Sequence, residues 1–533
     1  MAWSTAFRER MLLGGEPMYA IDFQSADFFS ADGMTLARYV LHSHGRPSGP
    51  SAAHIGHAIQ RVTGSGQSVS LRSWRSSAGG LRVELSGADM AQFVAREIPR
   101  GLIAQLRIGF QGMGFEEFEP VGLYQYRSLS GSRNSWTMEF NDILSALQSA
   151  SPLTKSAQFM KQAGETATLD GSWSTGSATM TIDSTGDPLA NFTLDDSTGA
   201  RGLMYCQPTT GDPFYLKYTA ASGTTIDVVG ADVIGTTRVN MADEDTVTAM
   251  GYIQDSLPDA VQMLLFGGLS GAPTMPTEWH MGVDFSSDTV HTGDFNEWRS
   301  RWLSGYTDFG ADFIQSAPLE NPYRGIEAFM SAFGSWLVIK EGRLSWRFVQ
   351  RIVPTETLGK RVHVDRTITD DDIAGEETYA LYHPDCPSEY YQAKFGGHTS
   401  LYNDGGEVGT QPGIFRLDHE SSGYAFDDDV KATNKSNCYL NLKSRIGPWY
   451  TRVPDSMRLT LAGWRHADLV PGDVVELQSA YIRNMVNAAE LGGPEMRHHT
   501  LTPYMVTAID VDWDGFTVNV ELSTPPYSNS RYS

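Results

Sequence analysis

The chain has 533 residues, 41% of them hydrophobic and 19% charged, with 53 glycines and a formal net charge of −23. This composition excludes a disordered or fibrous chain and predicts a mainly β protein of about three or four domains. The acidic charge disfavours a broad basic face that would hold nucleic acid or an anionic membrane.

The N-terminal residues 1–60 are interpreted as an irregular extension. A signal peptide is not expected, because MAWSTAFRERMLLGGEPMYAIDF lacks a continuous apolar core and a small-residue cleavage site. One short strand is predicted at MYAIDF, and a loop is predicted at HSHGRPSGPSAAH. No stretch approaches the roughly 18 apolar residues of a membrane helix, so we expect a protein made in a cytoplasm and not inserted in a membrane.

Residues 61–155 are predicted to form a first β-barrel module. Apolar residues alternate on both sides of a Ser-Ala-Gly-Gly turn, which predicts a hairpin over residues 69–85. GADMAQFVAREI is predicted to be a helix and LIAQLRIGF a half-buried strand, followed by the pair VGLYQYRSLS and SWTMEF. Asn141 or Asp142 is expected to cap a short helix over NDILSALQS.

Two differently composed segments follow. Residues 160–245 are rich in Gly, Ser and Thr and predict a small all-β insert. Residues 246–355 predict a helical linker domain, with SLPDAVQMLLFGG capped by Ser256 and NPYRGIEAFMSAFGSW showing the i, i+3, i+4, i+7 pattern of a helix. SWLVIKEGRLSWRFV predicts a hairpin in which Trp336 and Trp346 pack in the core.

Residues 356–533 are predicted to form a second β-barrel module. The turn Pro471-Gly472-Asp473 precedes a strand, and Gly472 is expected to need a positive φ. The last hairpin is predicted in YMVTAIDVDWDGFTVNVELS around the Asp514-Gly515 turn. The predicted fold class is therefore mainly β, as a multidomain α+β chain.

Catalytic motifs are absent from the sequence. There is no GxSxG elbow, no SxxK set, no P-loop, no GxGxxG after a strand and no HExxH. We therefore assign no catalytic residue and no cofactor-binding residue, and we expect no enzyme and no cofactor.

The strongest metal candidates are His42, His44, His54 and His57, because HxH followed by HxxH can place imidazoles around one ion. The alternative is a polar loop of solvated histidines. The alternative is favoured because the loop lacks carboxylates that would orient the rings. No metal ligand is assigned.

Acidic triplets occur at residues 370–372 and 427–429. Carboxylates suit calcium, but adjacent ones cannot all converge on one ion, so solvated turns are predicted. Cys206, Cys386 and Cys438 lie far apart without a CxxC spacing, which excludes a site made of four cysteines and leaves one disulfide open.

Aromatic residues of the insert are a candidate sugar-stacking surface: Trp173, Phe214, Tyr215 and Tyr218. Residues of this kind more often fill a small β core, and that interpretation is favoured.

Three stretches, taken in order, resemble one family. The region from SVSLRSWRSS through LIAQLRIGF to the D-x-L-x-x-L turn of Asp142, Leu144 and Leu147 resembles the N-terminal tube-forming region of bacteriophage tail hub proteins. SLPDAVQMLLFGG before MPTEWHMGVD resembles their helical stretch, and ADLVPGDVVELQS with YMVTAIDVDWDGFTVNVELS is similar to the end of their second tube module. The chain thus resembles siphophage-type tail hub, or baseplate hub, proteins, with residues 1–60 and 165–245 not covered.

The resemblance implies a structural virion protein at the tail tip and a homotrimer. Two tube-type β modules per chain would give six modules around a channel for genome ejection. The implied partners are further copies of the chain, a distal tail protein or tail tube above, and a tail fibre, spike or central tip protein below. DNA would pass transiently and would not be bound stably.

Two other functions are weighed against this one. The insert could recognise a receptor or glycan, which binding by the purified insert would favour. A cell-wall hydrolase is the less favoured alternative, because no residue in the sequence is a clear catalytic candidate.

Overall fold

The computed structural model describes residues 3–23, 39–45, 53–64, 66–71, 73–132, 135–149, 164–183, 202–222, 224–228, 236–268, 281–283, 289–305, 310–315, 322–350, 365–374, 378–381, 390–395, 398–403, 414–418, 424–426, 445–446, 449, 455–483 and 498–524. Its α-helices are α1 (Thr5–Leu12), α2 (Gly87–Glu97), α3 (Ile143–Ser149), α4 (Leu257–Phe266), α5 (Thr292–Gly305) and α6 (Pro322–Ala332).

The strands of the first third are β1 (Pro17–Phe23), β2 (Tyr39–His42), β3 (Ala53–Ile55), β4 (Ile59–Thr63), β5 (Gln67–Val69), β6 (Ser76–Ala78), β7 (Leu81–Leu85), β8 (Ile103–Phe110), β9 (Glu119–Ser132) and β10 (Ser135–Asp142). The central strands are β11 (Thr166–Leu169), β12 (Thr179–Asp183), β13 (Gly202–Gln207), β14 (Phe214–Ser222), β15 (Thr225–Val228), β16 (Thr246–Ser256), β17 (Gly310–Gln315), β18 (Ser335–Lys340) and β19 (Arg343–Phe348). The last strands are β20 (Arg366–Thr369), β21 (Thr378–Leu381), β22 (Tyr390–Phe395), β23 (His398–Asn403), β24 (Ile414–Asp418), β25 (Tyr424–Phe426), β26 (Asp455–Ala462), β27 (Val474–Arg483), β28 (His498–Asp512) and β29 (Thr517–Thr524). The fold class is mainly β, as predicted, and includes a closed six-stranded barrel.

The first β unit is an eight-stranded sheet in the order β3-β2-β1-β8-β9-β10-β7-β4. The alternation in β7 turns Leu81, Val83 and Leu85 into the core. Helix α2 links β7 to β8, and α3 follows β10, as predicted. Asp142 is the residue that caps α3, because its carboxylate accepts a hydrogen bond from the backbone N–H of Ser145 at 2.8 Å.

Two interpretations of this region are wrong. Residues 1–60 are not irregular where they are described: α1, three strands and the start of β4 form there, and β1 pairs with β8 along its whole length. The boundary predicted at residue 60 therefore falls inside one sheet. The hairpin predicted over residues 69–85 does not form either, since β5 pairs with β6 and β7 pairs with β4 and β10. Trp74, in the turn between β5 and β6, is buried and stacks on Trp336, with ring centroids 5.7 Å apart.

The second β unit contains six strands in the order β20-β27-β28-β29-β26-β21, and the short ribbon β5–β6 pairs with β28 at its side. The predicted final hairpin is confirmed as β28 and β29. The turn between them places Phe516, and not a glycine, at positive φ (56°).

The two β units share one strand order. Six strands of the first unit, numbered 1 to 6 in chain order, are β1, β4, β7, β8, β9 and β10. Side by side in the sheet they follow the order 1-4-5-6-3-2, which is β1-β8-β9-β10-β7-β4. The six strands of the second unit lie in the same order. One pairing differs in direction, because β1 is antiparallel to β8 whereas β20 is parallel to β27.

Strand register extends the likeness to single positions. The fifth strand of each unit carries one extra residue against the sixth strand, Arg127 in β9 and Thr507 in β28. When these bulges are superposed, Tyr124 corresponds to Tyr504. The facing pair of Arg82 in β7 and Glu139 in β10 corresponds to the facing pair of Arg458 in β26 and Glu521 in β29.

The middle of the chain lies between the units in sequence. The described residues of the predicted insert form strands β11–β15, which join β16, β17 and β25 in another eight-stranded sheet. The predicted helices are confirmed: Ser256 caps α4, and Gly334, at φ 62°, follows α6. The predicted hairpin is β18–β19, with Trp336 and Trp346 buried in it. The domain boundaries of this region stay predictions.

Candidate functional site: the junction between the two β units

The two β units share a continuous apolar core. Helix α1 lies at their contact and buries Phe7 and Met11. Phe110 of β8 meets Trp464, which follows β26, with ring centroids 5.6 Å apart. The hydroxyl of Tyr19 donates to Asp514 at 2.5 Å, which adds a polar contact between the first strand of one unit and the final hairpin of the other.

The proline-glycine turn of the second unit docks on the central hairpin. The indole N–H of Trp336 donates to the carbonyl of Pro471 at 3.1 Å. Gly472 has φ 106°, as expected, and a Cβ at this position would lie 2.8 Å from Cζ2 of Trp336. The turn therefore needs glycine both for its backbone conformation and for its close approach to the indole ring.

A buried ion cluster lies beneath this turn. Arg347 of β19 is fully buried and contacts Asp294 of α5 at 2.6 Å and Asp473 at 3.0 Å. Asp473 also accepts a hydrogen bond from the backbone N–H of Val470 at 3.0 Å. One guanidinium therefore ties the helical region to the second β unit, and both carboxylates keep a charge-assisted partner.

The two carboxylates of the cluster respond differently to their surroundings. Burial favours the neutral form of Asp294, but Arg347 and Lys340 outweigh it and hold the pKa of Asp294 well below its usual range. Burial raises the pKa of Asp473, and Arg347 only partly opposes this effect. Burial opposes the charge of Arg347, but Asp473 and Asp294 outweigh it and raise the pKa of the guanidinium.

The turn of the same hairpin rests on the first β unit. Gly342 approaches Pro120 so closely that a Cβ on Gly342 would lie 2.7 Å from it. Glu341 is buried between Arg8, at 3.3 Å, and His291, at 3.0 Å. The hairpin β18–β19 therefore contacts the first unit at its turn and the second unit near the start of β18 and the end of β19.

The ribbon β5–β6 is a further connection. It leaves the first unit after β4 and pairs with β28 of the second unit at Ala508 and Ile509. The side-chain amide of Gln67 pairs with the backbone of Ile339, donating at 2.7 Å and accepting at 2.9 Å. The ribbon thus binds the second unit and the central hairpin together.

The histidine candidates separate in the structure. His42 and His54 lie on the paired strands β2 and β3, and both are buried, so their interpretation as solvated loop residues is wrong. Their ring nitrogens Nε2 and Nδ1 are 2.8 Å apart, and Phe115 meets both rings edge-on. His57 is exposed. Among the residues that the structure describes, no three His, Cys, Asp or Glu side chains form a metal-binding group.

This histidine pair should make the stability of the protein sensitive to acid. Burial, with the neighbouring His54, lowers the pKa of His42 to about 4. Because the unfolded chain takes up this proton near pH 6.5, stability is present at neutral pH and is lost as the pH falls from about 6.5 to about 4. We expect the free energy of unfolding, relative to a His42→Gln variant, to fall by about 2–3 kcal/mol between pH 7.5 and pH 4.5.

Urea unfolding at both pH values measures this difference. A His42→Gln variant with the same pH dependence as the wild type would contradict the assignment.

Other residues singled out from the sequence have structural roles. Trp173, Phe214 and Tyr218 are buried in the insert, which is the interpretation that the sequence favoured over sugar stacking. Asp372 is buried and accepts a hydrogen bond from the backbone N–H of Thr369 at 2.9 Å, in a short 3₁₀ turn with its two acidic neighbours. Cys206 is buried and free.

Several sequence-based candidates lie outside the described residues. They are Asp427, Asp428, Asp429, Cys386 and Cys438. None of the helices in the described part of the chain is both long enough and apolar enough to span a membrane.

Comparisons with known proteins give distant structural likenesses. No protein-family model matches the sequence, and no curated protein matches it. The chain is similar to a prophage MuSo2 43 kDa tail protein from Shewanella oneidensis, at 10% identity and a TM-score of 0.33, over 96% of this chain and 97% of that one. It is similar to the prophage tail protein gp18 from Listeria monocytogenes EGD-e, at 10% identity and a TM-score of 0.29, over 97% and 95% of the two chains.

A third similar structure is a chain of the p2 virion baseplate in its activated conformation, at 7% identity and a TM-score of 0.21, over 95% of this chain and 98% of that one. The similar structures are thus tail or virion proteins by their own descriptions, which is the class that the sequence motifs resemble. At TM-scores this low, the likeness by itself establishes neither the fold nor the function of this chain.

Proposed function

We propose that this chain is a structural virion protein that forms a trimeric hub at the tip of a bacteriophage tail. The observation that carries the proposal is the repeated strand order of the two β units. Three copies of a chain with two like units supply six units, so they can close a ring that is nearly sixfold on one side and threefold on the other.

The junction supports this role because it holds the two units in one relative position. The shared apolar core, the central hairpin and the ribbon β5–β6 all contact both units or link them. A ring of such units has two kinds of contact: one between the two units of the same chain and one between units of neighbouring copies. The junction fixes the angle at the first kind before any copies associate.

The net charge suits a passage for DNA. A formal charge of −23 repels phosphate, so genome ejection through the ring would proceed without stable nucleic-acid binding. The proposed partners are a distal tail protein or tail tube above and a tail fibre, spike or central tip protein below, with the chain located in the virion at the tail tip. The role is structural and requires no catalytic residue or cofactor.

Native mass spectrometry of the purified chain, alone and with neighbouring tail proteins, tests the proposal. We expect an assembly of three copies of the 58.6 kDa chain. A map of the particle tip should place both β units around one passage. A single copy in the assembled particle, or β units that line no common passage, would overturn the proposal.

A further inference from the structure

We propose that the second half of β9, residues 128–131, is a strand edge that a second copy of this chain covers with its three-stranded sheet β23-β22-β24. This inference rests on the proposed ring, and it names the contact that would close the ring between copies. It follows from comparing the same position in the two β units.

The contact already exists once within the chain. In the second unit, the first half of β28 pairs with β27. The second half of β28 pairs with the ribbon β5–β6 in place of β27. The ribbon pairs with β28 just after the bulge at Thr507, at Ala508 and Ile509. There it buries the edge of the fifth strand, and Ile509 is only 5% exposed.

The equivalent edge in the first unit is uncovered. The first half of β9 pairs with β8, and its second half pairs with β10 but with no other strand of the described residues. The bulge at Arg127 sets the register, so Ser128 and Leu129 correspond to Ala508 and Ile509. Arg127 is exposed where Thr507 is buried, and Leu129 is half-buried where Ile509 is buried. The first unit thus repeats the acceptor strand without the covering ribbon.

The repeated strand order also identifies the segment that would cover this edge. In the first unit, the ribbon β5–β6 lies in the connection between the second and third strands, β4 and β7. In the second unit, the connection between β21 and β26 contains β22, β23, β24 and β25, and β25 pairs with β17 of the central sheet. The other three strands, β22, β23 and β24, form a sheet that pairs with none of the other sheets in the described part of the chain. A strand edge that pairs with no other strand favours pairing with another chain.

The ring geometry makes the recipient a second copy. The first unit of a chain already extends its ribbon to the second unit of the same chain. In a ring where the units alternate, the second unit of a chain is followed by the first unit of the next copy. Within the chain, the segment between the second and third strands of one unit pairs with the fifth strand of the next unit. The same contact between copies would place the β23-β22-β24 sheet of one copy on β9 of the next copy.

Hydrogen exchange of the full chain, in the assembled and the diluted state, tests the inference. We expect the outward-facing amides of residues 128–131 to exchange at least about 100-fold more slowly in the assembled state. The equivalent residues Ala508 and Ile509 are an internal control, because the ribbon of the same chain pairs with them in both states.

Two variants extend the test. Replacing residues 390–418 by a short Gly-Ser linker should abolish both the assembly and the protection of residues 128–131. Should that variant fail to fold, Ser130→Lys places a charge at the exposed edge and should weaken association at least about tenfold, whereas Asn519→Lys, on an exposed position of β29, should not.

The outcomes distinguish this inference from the proposed function. Trimers whose residues 128–131 exchange freely would overturn the strand-addition contact and leave the hub intact. A chain that is a single copy in the particle would overturn both.

Discussion

Replacing Arg347 by methionine is expected to lower the free energy of unfolding by about 3–5 kcal/mol. The guanidinium is fully buried, so its removal leaves Asp294 and Asp473 inside the protein without their main positive partner. The guanidinium also lies 4.6 Å from the ring of Trp298, and that contact would be lost as well. Urea unfolding followed by tryptophan fluorescence measures the change.

Two matched variants define what this result means. Asp473→Asn should cost about 1–3 kcal/mol, because Oδ1 accepts from Arg347 and Oδ2 accepts from the backbone N–H of Val470, and an amide can replace only one of these two acceptors. Arg458→Met removes an exposed arginine that pairs with Glu521 at 2.9 Å, and it should cost about 0–1 kcal/mol. A cost for Arg347→Met no larger than that for Arg458→Met would show that the cluster does not hold the helical region to the second unit.

Gly472→Val is expected to destabilise the protein by about 3–5 kcal/mol, by adding backbone strain to overpacking. The residue has φ 106°, and its Cβ would lie 2.8 Å from Trp336 and 3.1 Å from the side chain of Arg347. The turn would therefore move away from the hairpin and lose the bond from Trp336 to Pro471. Thermal unfolding and the yield of assembled particles report the effect.

Two other glycines separate strain from crowding. Gly87 has φ 78°, but a Cβ added there would meet no atom within 4 Å, so Gly87→Ala tests the backbone conformation alone. Gly176 has open space and no positive φ, so Gly176→Val should leave stability unchanged within about 0.5 kcal/mol. Equal melting temperatures for Gly472→Val and Gly176→Val would refute the role assigned to the turn.

Local patterns in the sequence predict most individual elements. The capped helices α3 and α4, the hairpin β18–β19 and the final hairpin all form where periodicity and turn residues place them. Each depends on neighbours in the chain, and local chemistry is sufficient for such elements.

Pairings between distant strands are not predictable in the same way. The prediction for the ribbon β5–β6 is wrong because its partner, β28, lies more than 400 residues away along the chain. The prediction of a solvated loop at His42 is wrong because its partner strand, β3, is separated from β2 by a glycine- and proline-rich segment. In both cases, tertiary contacts override a local turn signal.

One signal of the repeat is nonetheless present in the sequence. LRVEL at 81–85 and MRLTL at 457–461 are the third strands of the two units, each with an arginine at the second position. Five residues are too few to identify a repeat by themselves. The bulge positions in β9 and β28, which only the pairing reveals, supply the register that makes the two strands comparable.

The central hairpin has a mechanical consequence. Because Gly342 lies against Pro120 at one end and Trp336 meets the proline-glycine turn at the other, the hairpin acts as a strut with both ends fixed. A hinge between the two β units would have to break both attachments and separate Phe110 from Trp464. If a larger assembly of this chain widened, the movement would therefore take place at the contacts between copies, and the angle between the two β units of each copy would stay fixed.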